Sequence, residues 1–232
     1  MHVLGSKNKL KRFKENESFA NVIQPAREAL LDKTFTHKGT WETYFGNANP
    51  IVLELGCGKG EYTVELARKN PDTNYIGIDI KGARFWRGAK TALEDGLQNV
   101  AFVRTQIELI EYVFDTNEVS EIWITFPDPQ FKFKRTHHRL TNPNFLKAYR
   151  NVLKPDGYVH LKTDSAFLHG YTLGVLDGWE ITPIMAHHDV YEYVHAPEDV
   201  IGIQTFYEQQ YREQNIPITY LKFLFPSDVP IK

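Results

Sequence analysis

The sequence predicts an α/β fold, with a mostly parallel, doubly wound sheet flanked by helices. Apolar strand-like runs alternate with helix-like stretches over roughly the middle half of the chain, a pattern that builds parallel sheets through crossover helices. The leading runs lack the apolar–polar alternation of a one-sided sheet, as expected of strands covered on both faces. With 232 residues, 42% of them hydrophobic, the chain can bury one substantial core.

Taken in order, the first 17 residues read as a basic, flexible arm. Its segment GSKNKLKRFK carries Lys7, Lys9, Lys11, Arg12 and Lys14 without an acid. Residues 18–232 are expected to form a single domain. ESFANVIQPAREALL suggests an amphipathic helix that Pro25 starts or kinks. PIVLELGCGKGEYTVELARKN reads as buried strand, glycine turn and helix. NYIGIDI repeats the strand, and ARFWRGAKTALEDG the helix, closed by Gly96. VAFVRT, EIWITF and YVHLKT continue as strands, with helical stretches near 106–115 and 142–153. Beyond Asp164 the pattern loosens: a strand and a turn within WEITPIMAHHDVYEYVH, a helix within IGIQTFYEQQYREQ, and a last strand, PITYLKFLF.

Composition narrows the functional classes. The formal charge is only −2, so the local basic clusters matter more than the sum. The single cysteine, Cys57, excludes an internal disulfide and a CxxC redox pair. No apolar run approaches the roughly 18 residues that span a bilayer, and the N-terminus lacks a signal peptide's apolar middle. A cytoplasmic chain with no membrane partner is expected.

Gly56, Gly58 and Gly60 stand on alternate residues between a strand and a helix. Such a turn is of the Rossmann type, where missing side chains let a ligand approach the backbone. The spacing is GxGxG, not the GxGxxG of a dinucleotide site, and Glu54 precedes it inside the strand. A carboxylate there suits the zwitterionic end of S-adenosylmethionine better than a pyrophosphate. Asp79 ends the next strand, where it can accept bonds from ribose hydroxyls or serve as a plain strand-end cap. Gln106 follows the third strand, either meeting an adenine edge or lying exposed in a first helical turn.

The fourth strand delivers Phe126, Pro127, Asp128 and Pro129 to the carboxyl end of the sheet, where open α/β folds bind ligands. The two prolines fix the backbone on either side of the carboxylate. Beyond it, Lys132, Lys134, Arg135 and Arg139, interleaved with Phe131 and Phe133, suit a phosphate backbone, with His137 and His138 as partial donors. Neither His137–His138 nor His187–His188 has the neighbours of a zinc set, so no metal is expected.

Together these motifs resemble the bacterial tRNA (guanine-N7-)-methyltransferases. The likeness runs from about Ile51 to Phe225 through LELGCGKGE, GIDIK, FPDP with a lysine four residues after its aspartate, LKTD and TFYE. It implies a Rossmann-like, seven-stranded class I methyltransferase fold, S-adenosylmethionine as cofactor, and methylation of guanine N7 in the tRNA variable loop. It further implies cofactor contacts at Glu54, Gly56, Gly58, Asp79, Gln106 and Asp128, with Asp128 also catalytic. Lys132, Asp164, Thr205, Phe206, Tyr207 and Glu208 are implied to touch the RNA or its target base. A monomer or homodimer is consistent with this. Two positions depart from the family: Gln130-Phe131 replaces its usual Trp-Pro, and Gln106 stands where Asp or Asn is usual. The alternatives are an exocyclic-amine methyltransferase, whose acidic tip has a different order, a dehydrogenase, disfavoured by the glycine spacing, and an inactive RNA-binding module with a relic cofactor pocket.

Overall fold

The computed structural model describes residues 4–226. Its contacts divide the chain into two compact units that meet between Phe114 and Asp115.

The first unit begins with helix α1 (Leu4–Asn16), strand β1 (Val22–Ile23) and short helices α2 (Arg27–Leu31) and α3 (Trp41–Phe45). Strand β2 (Ile51–Leu55), helix α4 (Glu61–Lys69), strand β3 (Asn74–Ile78), helix α5 (Gly82–Glu94) and strand β4 (Val100–Val103) then alternate, and a 3₁₀ turn (Ile107–Leu109) leads into α6 (Ile110–Val113). The strands lie in the order β1-β4-β3-β2, all parallel. Every residue of β2, β3 and β4 is buried, which explains their unbroken apolar sequences. Gly96 takes φ 68°, just past the end of α5, the left-handed conformation glycine adopts without strain.

The N-terminal segment, expected to be a basic, flexible arm, has regular structure where it is described. Over residues 4–16 it is helical, and it packs on α5. The buried amide of Asn16 donates to the Gly82 carbonyl at 2.9 Å, and Trp86 Nε1 donates to Glu15 Oε2 at 2.6 Å. Arg12 lies 4.8 Å over the Trp86 ring, and Arg104 4.8 Å over Phe13. Run on run of lysine hides this helix, since its few anchors are not an apolar stripe.

The second unit holds β5 (Val119–Thr125), a 3₁₀ helix (Phe133–His138), α7 (Pro143–Val152), β6 (Leu153–Thr163), α8 (Ala166–Asp177), β7 (Met185–His187), a 3₁₀ turn (Val190–Glu192), α9 (Glu198–Ile201), α10 (Phe206–Glu213) and β8 (Thr219–Leu224). Strand order is β5-β6-β8-β7, with β5 and β6 parallel and β8 antiparallel to both of its neighbours. Eight strands are described, one more than the family resemblance implies; β1, with two residues, is too short to announce itself in sequence. Helix α8 also escapes sequence reading, because AFLHGYTLGVLD is apolar on most sides and broken by two glycines. Ser165 starts it, its Oγ accepting from the Leu168 N–H at 3.2 Å.

Candidate functional site

In the first unit the end of β2 leads into the glycine turn. Gly56, Gly58 and Gly60 have φ of 72°, 56° and 73°, where an L side chain is strained. Their surroundings separate them. A Cβ at Gly60 would lie 2.6 Å from the Phe102 ring, whereas at Gly58 it would meet nothing nearer than the Gly56 carbonyl at 3.9 Å. Gly60 therefore serves packing, and Gly58 gives the turn an open face.

Two carboxylates brace this turn. Asp79, buried just beyond β3, accepts from the Gly58 N–H at 3.1 Å through Oδ2 and from the Lys81 N–H at 2.7 Å through Oδ1. Glu54, also buried, accepts through Oε2 from the Thr63 N–H at 2.9 Å and from the Thr63 hydroxyl. That places negative charge in the first turn of α4, where the helix dipole favours it. Between them, burial and these two carboxylates push the Cys57 thiol well above its ordinary value, which keeps it protonated and removes it as a nucleophile. Gln106 is exposed, and its side-chain oxygen accepts from Arg27, a partner absent from the sequence reading.

In the second unit β5 ends in a fixed tip. Phe126 and Gln130 have φ of 47° and 49°, and the Asp128 carboxylate between them accepts from the Gln130 N–H at 3.0 Å. Bulky residues seldom enter that region, so the surrounding contacts impose the shape. The Phe126 N–H donates to the Lys162 carbonyl at 2.8 Å, and its ring stacks on Tyr211 with centroids 6.1 Å apart. Asp128 itself is exposed.

The basic segment splits in two. Lys132, Lys134 and Arg135 face solvent, with Phe131 and Phe133 65% and 89% exposed among them. Arg139 does not belong with the phosphate-facing cations. It is buried, donates from Nε and Nη2 to the Gln130 carbonyl at 3.2 and 3.1 Å, and lies 4.7 Å over Phe167 and 4.4 Å over Tyr171. Its guanidinium ties the tip to these rings. Among the described residues, no group of three or more His, Cys, Asp or Glu is placed to hold a metal ion.

Thr205 caps α10, its hydroxyl accepting from the Glu208 N–H at 3.3 Å, which puts Phe206 and Tyr207 half-exposed in the first turn. Glu208, which the family resemblance implies touches the RNA or its target base, is fully buried. Glu208 Oε1 lies 2.6 Å from Lys162 Nζ, also fully buried, and accepts from the Tyr191 hydroxyl at 2.7 Å. The cause is its neighbour: a lysine in the apolar strand β6 requires an acid, and Glu208 is at hand. Asp164, half-buried, has its carboxyl raised by desolvation, and its charge in turn helps raise the Tyr211 phenol. FPDP, LKTD and TFYE, scattered in sequence, thus converge within the second unit.

The model of a family described as "Putative methyltransferase" matches residues 48–221, on both sides of the boundary between the units. A tRNA (guanine-N(7)-)-methyltransferase of Christiangramia forsetii is 72% identical over 221 residues, covering 95% of this chain and 99% of that protein. The chain belongs to the tRNA (guanine-N(7)-)-methyltransferase family. Relatives carrying the same name in Bacteroides thetaiotaomicron and Levilactobacillus brevis are 46% and 38% identical, covering 96% and 82% of this chain and 87% of each of theirs.

Solved structures add the class I methyltransferase fold to this methyltransferase. The 16S rRNA methyltransferase KamB matches with TM-score 0.59 at 17% identity, covering 81% of this chain and 94% of that one. The 16S rRNA (adenine(1408)-N(1))-methyltransferase from Catenulisporales acidiphilia matches with TM-score 0.57 at 16% identity, covering 81% and 94%. Three residues around this methyltransferase's motifs were missed in sequence: Arg27 on Gln106, Tyr191 on Glu208, and Lys162, which passed as one letter of LKTD. Only Lys162 left a signal, as a cation amid apolar strand residues. TFYE also has the Thr-x-x-Glu spacing of a helix capping box, and Thr205 does cap, while its glutamate turns inward to Lys162.

Proposed function

We propose that this chain transfers a methyl group from S-adenosylmethionine to N7 of a guanine in the variable loop of tRNA. The observation that carries the reading is its 72% identity, over nearly the whole chain, to a protein named tRNA (guanine-N(7)-)-methyltransferase. S-adenosylmethionine supplies the electrophilic methyl. The glycine turn suits such a ligand: Gly58 leaves an open face, and the Asp79 oxygens, each with one bond from the chain, retain lone pairs for ribose hydroxyls. Gly56 and Glu54 form the turn's near wall, Gln106 meets the adenine, and Asp128 completes the cofactor contacts and acts at the catalytic centre.

Guanine N7 carries an in-plane lone pair, so no base is needed to create the nucleophile, and positioning dominates the rate. Lys132 holds a phosphate; Thr205, Phe206 and Tyr207 support the target nucleotide. As the methyl arrives, positive charge spreads over the ring and sharpens its N–H donors, so carboxylates at that edge bind the transition state more strongly than the substrate. Asp164 and Glu208 fill this role. Incubation with labelled S-adenosylmethionine and bulk tRNA, followed by nucleoside analysis, tests the proposal. Label in 7-methylguanosine is expected; label in an exocyclic-amine product, or cofactor binding without transfer, contradicts it.

A further inference from the structure

The buried ion pair under the TFYE turn has an imbalance. Lys162 Nζ has three N–H donors and meets three acceptors: Glu208 Oε1 at 2.6 Å, the Ile203 carbonyl at 3.0 Å and the Val200 carbonyl. Glu208 Oε1 receives both Lys162 and the Tyr191 hydroxyl, while Oε2, equally buried, has no partner. A carboxylate kept only to neutralise a lysine would share its bonds over both oxygens, since an unpaired buried acceptor is costly. Here both donors that reach the carboxylate, Lys162 and Tyr191, fall on one oxygen. Tyr191 is itself clamped, with the Arg212 guanidinium 3.7 Å over its ring.

We infer that Lys162 and Tyr191 are positioning residues, which fix Glu208 through Oε1 so that Oε2 stays reserved for the N1–H and amino donors of the target guanine. The inference rests on the proposed function. Because Oε2 is buried, a base reaches it only once the surrounding packing opens, and the lysine keeps the carboxylate in place meanwhile. The same ammonium ties down the carbonyls of Val200 and Ile203, the segment that leads into α10. Glu208 and Arg212 from α10 act on Lys162, and the rings of Phe126 and Tyr191 each lie 6.0 Å away. Burial lowers its ammonium to about 8 against the opposing pull of Glu208.

The test is single-turnover methylation at saturating tRNA from pH 6.5 to 9.5, in the parent, Lys162→Arg and Tyr191→Phe, with tRNA and cofactor affinities measured alongside. The parent rate should fall above about pH 8, toward tenfold per pH unit, as Lys162 loses its proton. Arginine stays charged but cannot place three donors on the same three acceptors, so Lys162→Arg should be slower at pH 7 and flat with pH. Tyr191→Phe, which keeps the ring under Arg212, should be slower by at least about fivefold with cofactor affinity unchanged. A parent rate that is flat to pH 9.5, a Lys162→Arg profile that falls in step with the parent, or full activity in Tyr191→Phe overturns the inference. If the parent forms no 7-methylguanosine at all, the functional reading fails instead.

Discussion

Asp79 sets the terms at the scale of single residues, because one carboxylate spans β3 and the glycine turn. Its bonds to Gly58 and Lys81 preform the turn before any ligand arrives. Asp79→Ala should weaken S-adenosylmethionine binding by about 1–3 kcal/mol, the usual cost of removing one partner from buried hydrogen bonds. Calorimetric titration checks this, and unchanged affinity would remove Asp79 from the cofactor site. Asp79 and the glycine turn were legible because strand, turn and helix each left a local signature. Glu54 was legible in position only, since its bond to Thr63 follows from how α4 seats on β2. The packing of Arg139 and Glu208 was not legible. Each depends on partners brought close by folding, Gln130 with Phe167 in one case and Lys162 with Tyr191 in the other.

Among the elements, α1 separates local propensity from tertiary docking. Its polar sequence gives little reason for order, yet Trp86 of α5 takes a hydrogen-bond acceptor from Glu15 and a cation over its ring from Arg12. Removing that ring in Trp86→Ala should loosen the docking by about 1 kcal/mol. Limited trypsin digestion reads this out: cuts after Lys9, Lys11, Arg12 or Lys14 should appear roughly fivefold faster than in the parent, with the rest of the chain resisting as before. Equal cleavage rates would show that Trp86 does not hold the helix. Elements β2 to β5 and α7 were legible from sequence because both-face burial writes itself as apolar runs and the helices between carry clear starts. What failed was whatever lacked length or periodicity: β1 with two residues, α8 with two glycines, and α1 with its charge.

For the whole molecule, acid stability follows from a buried histidine. His169 on α8 is buried with neither ring nitrogen hydrogen-bonded, and His188 stands edge-on at 5.0 Å. Burial, aided by the charges of His188 and His187, lowers it to about 4. The unfolded chain takes up this proton near 6.5, so stability is intact above that pH and declines as pH falls toward about 4. His169→Leu should make this acid limb shallower by up to about 1.4 kcal/mol per pH unit in denaturant titrations; an identical slope would show that His169 does not titrate this way. The proposed methyl transfer belongs to the same scale, since the residues proposed for it come from both units. The most direct measurement uses a tRNA with 7-deazaguanine at the variable-loop target, assayed for binding and for methyl transfer beside the unmodified RNA. Replacing one ring nitrogen by C–H removes the nucleophile and leaves the Watson–Crick edge intact. The account predicts that this tRNA binds within about threefold of the parent RNA and accepts no methyl group; methylation of it would contradict transfer to N7.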